Sequence, residues 1–311
     1  MPYSWRMYLT HYGLAEPPFA ITPDPRFVFL SEHHRDALAH LLYGIGQGGS
    51  GGFVQLTGEV GTGKTTLCRL LLEQLPANVR VALVLNPKQT PLELLTTICE
   101  ELHIDLPGKR RSLKMEIDAL NAHLLDAYAQ GLRVVLIVDE AQELSREALE
   151  QIRLLTNLET PTQKLLQIVL LGQPELRDTL SRPALRQLAQ RITARYHLTP
   201  LAPEETEAYL RHRLTIAGAS AFPFEAPAVR RLHALSGGVP RLLNVLGERS
   251  LLAGYVHGRG RIDAALVDLA AREVLPPIDA RERRWRVFGW SLGLGALTIV
   301  ALWLTLHTGV R

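Results

Sequence analysis

Cysteine is nearly missing from this chain: 311 residues contain two, Cys68 and Cys99, at no metal-ligand spacing. That excludes a disulfide framework and a zinc motif, and it fits small buried apolar positions in a reducing compartment. The eleven histidines are scattered, and the adjacent pair His33-His34 cannot share one helix face, so both are read as surface or capping residues. An excess of positive charge is also missing. The chain carries a net charge of +3, and the run Arg281-Glu282-Arg283-Arg284-Trp285-Arg286 alone carries +3. The remainder is close to neutral, which argues against a broad nucleic-acid-binding surface. The first thirty residues lack an apolar core stretch and hold Pro2, Pro17, Pro18, Pro23 and Pro25, so no secretory signal is expected there. No internal repeat is visible. An apolar content of 47% against 21% charged residues excludes a disordered chain and leaves room for two packed domains.

What is present is concentrated in a few places. Gly58-Glu59-Val60-Gly61-Thr62-Gly63-Lys64-Thr65-Thr66 fits G-x-x-x-x-G-K-[ST] without a mismatch. It follows the apolar run Phe53 to Thr57 and opens a helical run from Leu67 to Leu75. Strand, loop and helix in that order make a phosphate-binding loop: glycines permit the tight turn, and backbone N–H groups and the helix N-terminus face the anion. Lys64 is placed to reach the β- and γ-phosphates of a nucleotide, and Thr65 to hold Mg²⁺.

Downstream, Val134 to Val138 is a nearly pure apolar strand ending in Asp139-Glu140. Open α/β sheets bind ligands at the carboxyl ends of their strands. Asp139 is expected to reach Mg²⁺ and Glu140 to polarise the attacking water. Gln173, after the strand Leu166 to Leu171, is the candidate sensor of the γ-phosphate. Charge on a transferring phosphoryl group calls for cations. Arg186, Arg191 and Arg195 cluster around the last strand, with Arg191 the favoured arginine finger acting on a neighbouring subunit and Arg186 second. Arg241, in Gly237-Gly238-Val239-Pro240-Arg241, starts a helix from which it could reach the same phosphates.

Apolar runs at 79–85, 133–138, 166–171 and 192–198 alternate with helical patterns at 33–45, 92–102, 114–130 and 144–158. Ser31 is placed to cap the first of these helices. The alternation predicts a parallel sheet covered on both faces. From Pro203 to Val274 only helical patterns remain. The expected fold is therefore an α/β P-loop NTPase, a three-layer parallel sheet, with a C-terminal all-α lid and one transmembrane helix. The expected divisions are 1–200 for the nucleotide-binding domain, 201–273 for the lid, 274–286 for a basic juxtamembrane linker, 287–306 for the transmembrane helix and 307–311 for a short tail. The span is read from twenty uncharged residues, Val287 to Leu306, behind an arginine cluster. That predicts a single-pass protein of the inner membrane with its N-terminal domains in the cytoplasm.

The order of phosphate loop, Asp-Glu strand, polar sensor, arginine and helical lid with Gly-x-Pro-Arg resembles an AAA+ ATPase. Tyr8 to Leu14, Pro18-Phe19, Thr22 to Phe27, His34 to Leu38, Leu171 to Leu176, Leu185 to Leu188, Gln190 to Ile192 and Gly237 to Asn244 narrow the resemblance to the general secretion pathway protein A (ExeA) family. The match covers about residues 7–273. The resemblance implies a membrane-anchored ATPase using ATP and Mg²⁺, forming a homo-oligomer and serving an inner-membrane partner in an export system. Type II secretion, pilus and exopolysaccharide assembly all fit. Two other readings share the site: a nucleotide-gated partner-binding module with little turnover, and an ATPase of the DNA-transposition type, against which the near-neutral remainder argues.

Overall fold

The computed structural model describes residues 4–20, 24–46, 52–106, 112–160 and 164–275. Five strands, β1 (Phe53–Gly58), β2 (Val79–Val84), β3 (Arg133–Val138), β4 (Leu166–Gly172) and β5 (Ile192–Leu198), form one sheet in the order β2-β3-β4-β1-β5. Every neighbouring pair is parallel. The parallel sheet explains the apolar runs, because both faces of each central strand are buried. Alternate residues go to opposite faces, as the two-residue period of a strand requires. Leu136, Val138, Ile168 and Leu170 pack with helices α4 (Pro91–Glu101), α5 (Leu113–Ala129) and α6 (Arg146–Leu155). Val135, Ile137, Val169 and Leu171 pack on the other side with α2 (Glu32–Gly46) and α3 (Lys64–Gln74). Cys99 joins the first core and Cys68 the second, and burial pushes the Cys68 thiol up to about 12.

Two short helices, α7 (Glu175–Ser181) and α8 (Arg186–Gln190), bridge β4 to β5. Beyond the sheet come α9 (Pro203–Ile216), α10 (Ala226–Ser236), α11 (Pro240–Val256) and α12 (Ala264–Val274). Their core includes Leu210, Leu232, Leu243 and Val267, and it takes in Tyr8, Leu9, Leu14, Phe19 and Phe27 from the start of the chain. Polar contacts tie the same ends together. Tyr8, on α1 (Ser4–His11), donates its hydroxyl to Glu248, and the Tyr12 hydroxyl donates to the Arg259 carbonyl at 2.9 Å. The buried Arg213 donates to the carbonyls of Pro18 at 2.6 Å and Ala20 at 3.0 Å. The N-terminal segment thus packs on the helices furthest from it in sequence.

The single-pass inner-membrane placement expected from the sequence is corrected: among the described residues no helix is long and apolar enough to cross a membrane. The longest of these, α5 and α11, have 17 residues each and carry charged side chains, whereas a span needs about twenty apolar residues. The stretches expected as basic linker after residue 275, as transmembrane helix at 287–306 and as tail at 307–311 lie outside the described residues.

Candidate nucleotide site

Because all five strands are parallel, their carboxyl ends share one edge of the sheet, and β4 lies between β1 and β3. That order brings together residues far apart in sequence: the loop after β1, the Asp-Glu pair after β3 and Gln173 after β4.

The loop leaves β1 at Gly58 and turns with φ +85° at Gly61 and +105° at Gly63, values that L side chains rarely adopt. Gly63 is the N-cap of α3 and offers no side chain, so the first-turn N–H groups of α3 have no side-chain cap and are free to face an anion. The Lys64 ammonium is curled into the loop, donating to the carbonyls of Gly58 at 2.8 Å and Glu59 at 3.0 Å. Burial lowers the Lys64 pKa, against the pull of Glu140, Asp139, Glu59 and Glu175. Thr62 is fully buried, and its hydroxyl donates to the Glu59 carbonyl at 2.9 Å. Glu59 and Val60 are exposed at the tip, and Thr66 is half-buried in the first turn of α3.

Thr65 and Asp139 meet: the Thr65 hydroxyl donates to Asp139 Oδ2 at 3.0 Å. Asp139 is buried, and its other oxygen accepts the Glu140 backbone N–H at 2.9 Å. Glu140 is one of two described non-glycine residues with positive φ, at +51° and ψ +38°. A side chain in that conformation costs about 1–2 kcal/mol, and here it stands where the sequence places water activation. Burial works against ionisation of Glu140, but hydrogen bonds from Gln142 and Gln173 and the charge of Lys64 outweigh it and hold the carboxyl below the ordinary glutamate range.

The sensor candidate Gln173 reaches Glu140 directly, its Nε2 donating to Glu140 Oε2 at 3.3 Å. Arg241 stands over the loop: its backbone N–H donates to the Gly61 carbonyl at 3.2 Å, and a Cβ added at Gly61 would lie 2.6 Å from the Arg241 Cβ. The other arginines separate. Arg191 donates to the Arg153 carbonyl at 3.2 Å and to the Thr156 hydroxyl, closing the C-terminal end of α6. Arg195 is exposed and donates to the Ala189 carbonyl at 2.5 Å. Arg186 opens α8 on the surface, and its side chain has no hydrogen bond or ion pair among the described residues.

The loop from Val60 to Leu67, with Glu140 and Arg241, lines a cavity of about 400 Å³. Its far wall was not found from sequence. Phe27 to Leu30 approach from the N-terminal segment, and Tyr209, Arg213 and Asn244 from α9 and α11. The Arg213 guanidinium lies 4.8 Å from the Phe27 ring centroid, and the Tyr209 hydroxyl donates to Asn244 Oδ1 at 2.6 Å. His34, expected on the surface, is buried against the loop instead. Its Nε2 lies 2.9 Å from the Thr62 carbonyl, and its Nδ1 lies 2.7 Å from the Ser31 hydroxyl. A carbonyl only accepts, so Nε2 carries the proton and Nδ1 accepts from Ser31. A lone histidine at helical spacing gives no signal of such a contact; its neighbour on the loop is set by the sheet.

Residues 47–180 match the family model described as "AAA domain". The chain is 50% identical over 298 residues to the General secretion pathway protein A of Aeromonas hydrophila, covering 96% of this chain and 53% of that protein. It therefore spans about half the length of this curated relative. Among solved structures it is similar to Cdc6p from Pyrobaculum aerophilum, with TM-score 0.66, 20% identity and coverage of 84% of this chain and 72% of that one. It is also similar to a chain of Drosophila ORC bound to DNA, with TM-score 0.63, 18% identity and coverage of 89% and 68%. At such identities the structural likeness speaks for the fold alone. The AAA domain match, the parallel sheet and the half-identity sustained over almost the whole chain make it a homologue of general secretion pathway protein A with a P-loop AAA-type α/β fold.

Proposed function

We propose that this chain is an ATPase that binds ATP with Mg²⁺ between the carboxyl edge of the sheet and helices α9 and α11. Hydrolysis to ADP and phosphate drives or gates assembly of a bacterial export system. One observation carries the reading: Lys64, Thr65 and Glu140 line a single cavity with the open N-terminus of α3, and Asp139 is bonded to Thr65 at its edge. The donor set suits a hard cation, since Thr65 and Asp139 offer a hydroxyl and a carboxylate oxygen 3.0 Å apart. Thr65 and Asp139 would hold Mg²⁺, which supplies neutralisation of the phosphate charge. Lys64 and the N–H groups of Gly61 to Thr66 bind and orient the phosphates. Glu140 orients a water and draws on its proton, and Gln173 and Arg241 approach the terminal phosphate from β4 and α11. Helices α9–α12 act as the lid.

A homo-oligomer in which an arginine of one subunit completes the next subunit's site fits the exposure of Arg186 better than the engagement of Arg191 with α6. The partner is a component of export or envelope-assembly machinery, a reading supported by the relative's name. The test is turnover of the full chain. Lys64→Ala should weaken ATP binding and abolish turnover. Glu140→Gln should retain binding while turnover falls about 10²–10⁴-fold. Unchanged turnover in both variants would remove the catalytic assignment. A Glu140→Gln chain that binds ATP and still supports export would favour the nucleotide-gated module.

A further inference from the structure

Gln142 belongs to none of the motifs above, yet its amide is used at both ends. It sits in the one-turn 3₁₀ helix Ala141–Glu143, directly after the left-handed Glu140. Its Nε2 donates to Glu140 Oε2 at 2.7 Å, a shorter contact than the 3.3 Å from Gln173 to the same oxygen. Its Oε1 accepts the backbone N–H of Gln173 at 2.9 Å. The strand tip is cut to admit it: a Cβ added at Gly172 would lie 2.9 Å from Gln142 Oε1.

We propose that Gln142 is a positioning residue, its side-chain amide bridging the Glu140 carboxylate at the end of β3 to the Gln173 backbone at the end of β4. The inference rests on the ATPase reading above. Glu140 is held in a conformation its own backbone disfavours. Two N–H donors fix its carboxylate, and one of them is anchored to the strand that carries the sensor. Any displacement of Gln173 towards or away from a phosphate is thereby transmitted through one amide to the group that orients the water. Asparagine is one methylene too short to span both partners, and a hydrophobe would leave the Gln173 N–H without a partner and Glu140 with the Gln173 amide alone.

The two ends are separable by mutation. Gln142→Glu keeps an acceptor for the Gln173 N–H but sets a carboxylate against Glu140. Gln142→Met keeps the volume and loses both contacts. Amide hydrogen exchange at Gln173 reports the β4 end without any turnover. The exchange should be about tenfold faster in Gln142→Met, from loss of about 1.4 kcal/mol of protection, and near wild type in Gln142→Glu. Steady-state kinetics reports the other end: both variants should lose about 10–100-fold in kcat with KM for ATP within about twofold, as expected when a reacting group is misplaced. Thermal melts of both variants check that they fold. Unchanged Gln173 exchange in Gln142→Met would overturn the bridge whatever turnover does. Faster exchange with wild-type kcat in both variants would overturn its role in catalysis. A wild-type chain that binds ATP without hydrolysing it would instead sink the ATPase reading.

Discussion

Gly63 shows how much of the site hangs on one backbone angle. With φ +105° it turns the chain into α3 and aims the first-turn N–H groups at the cavity. An added Cβ would also stand 3.1 Å from His34 Nε2, the nitrogen that holds the Thr62 carbonyl. Gly63→Ala is therefore expected to cost about 1–2 kcal/mol in stability and to weaken nucleotide binding about tenfold or more. Calorimetric melting and titration with a fluorescent ATP analogue measure the two effects. At this scale the sequence was informative where a motif has fixed spacing: Lys64 and Thr65 stand where the loop pattern places them, and Thr65 meets Asp139. It read His34 as a surface or capping residue and was silent on Gln142, because each acts through a partner on another strand or loop, and neither residue type is unusual in its local pattern.

At the scale of elements, caps and local contacts can be altered without touching the site. Ser145 accepts the Ala148 N–H at 3.0 Å and starts α6, whose other end is held by Arg191. Ser145→Ala should cost about 1 kcal/mol, a fall in Tm of roughly 2–4 °C for a chain of this size, with ATP turnover unchanged. The α1–α11 contact should respond to pH. Glu248 accepts from Tyr8, but its second oxygen has no partner among the described residues, and burial raises its pKa. A carboxyl raised in the folded state contributes stability that is complete below the ordinary glutamate value and is lost as pH rises through the raised value. Glu248→Gln should therefore raise Tm at pH 8 relative to wild type and change it little at pH 4; melts across that range check the sign. Strand runs were readable to within a residue; β3 and β4 are nearly unbroken apolar stretches because both their faces are buried, whereas the edge strands β2 and β5 are only partly buried. The helix expected at 144–158 contracted to Arg146–Leu155 behind a 3₁₀ turn, because Ser145 caps it and Glu140 to Glu143 are bent back onto the strand tips.

For the whole molecule, the question is what completes the site. Arg186 is exposed on α8 and unengaged among the described residues, whereas Arg191 is committed to α6. If the proposed finger acts between subunits, Arg186→Ala and Lys64→Ala should each be inactive alone. Mixed, they should recover up to roughly a quarter of wild-type turnover, because some loops then meet an intact neighbour. No recovery on mixing would assign Arg186 no role in trans. The N-terminal segment adds a second long-range dependence: Arg213 pins Pro18 and Ala20 while stacking near Phe27, so one wall of the cavity joins segments 195 residues apart in sequence.

The chain by itself determined the parallel α/β layers, the phosphate loop, the Asp-Glu pair and the all-helical stretch that follows. These are properties of local spacing and periodicity, which packing does not alter. Strand order was decided only in three dimensions. Placing β4 between β1 and β3 sets Gln173 and Gln142 around Glu140, α2 delivers His34 to the loop, and Phe27 to Leu30 close the cavity against α9 and α11. Such contacts join segments between 28 and 195 residues apart, and no local pattern encodes them, because the burial that makes them favourable exists only once the sheet has formed.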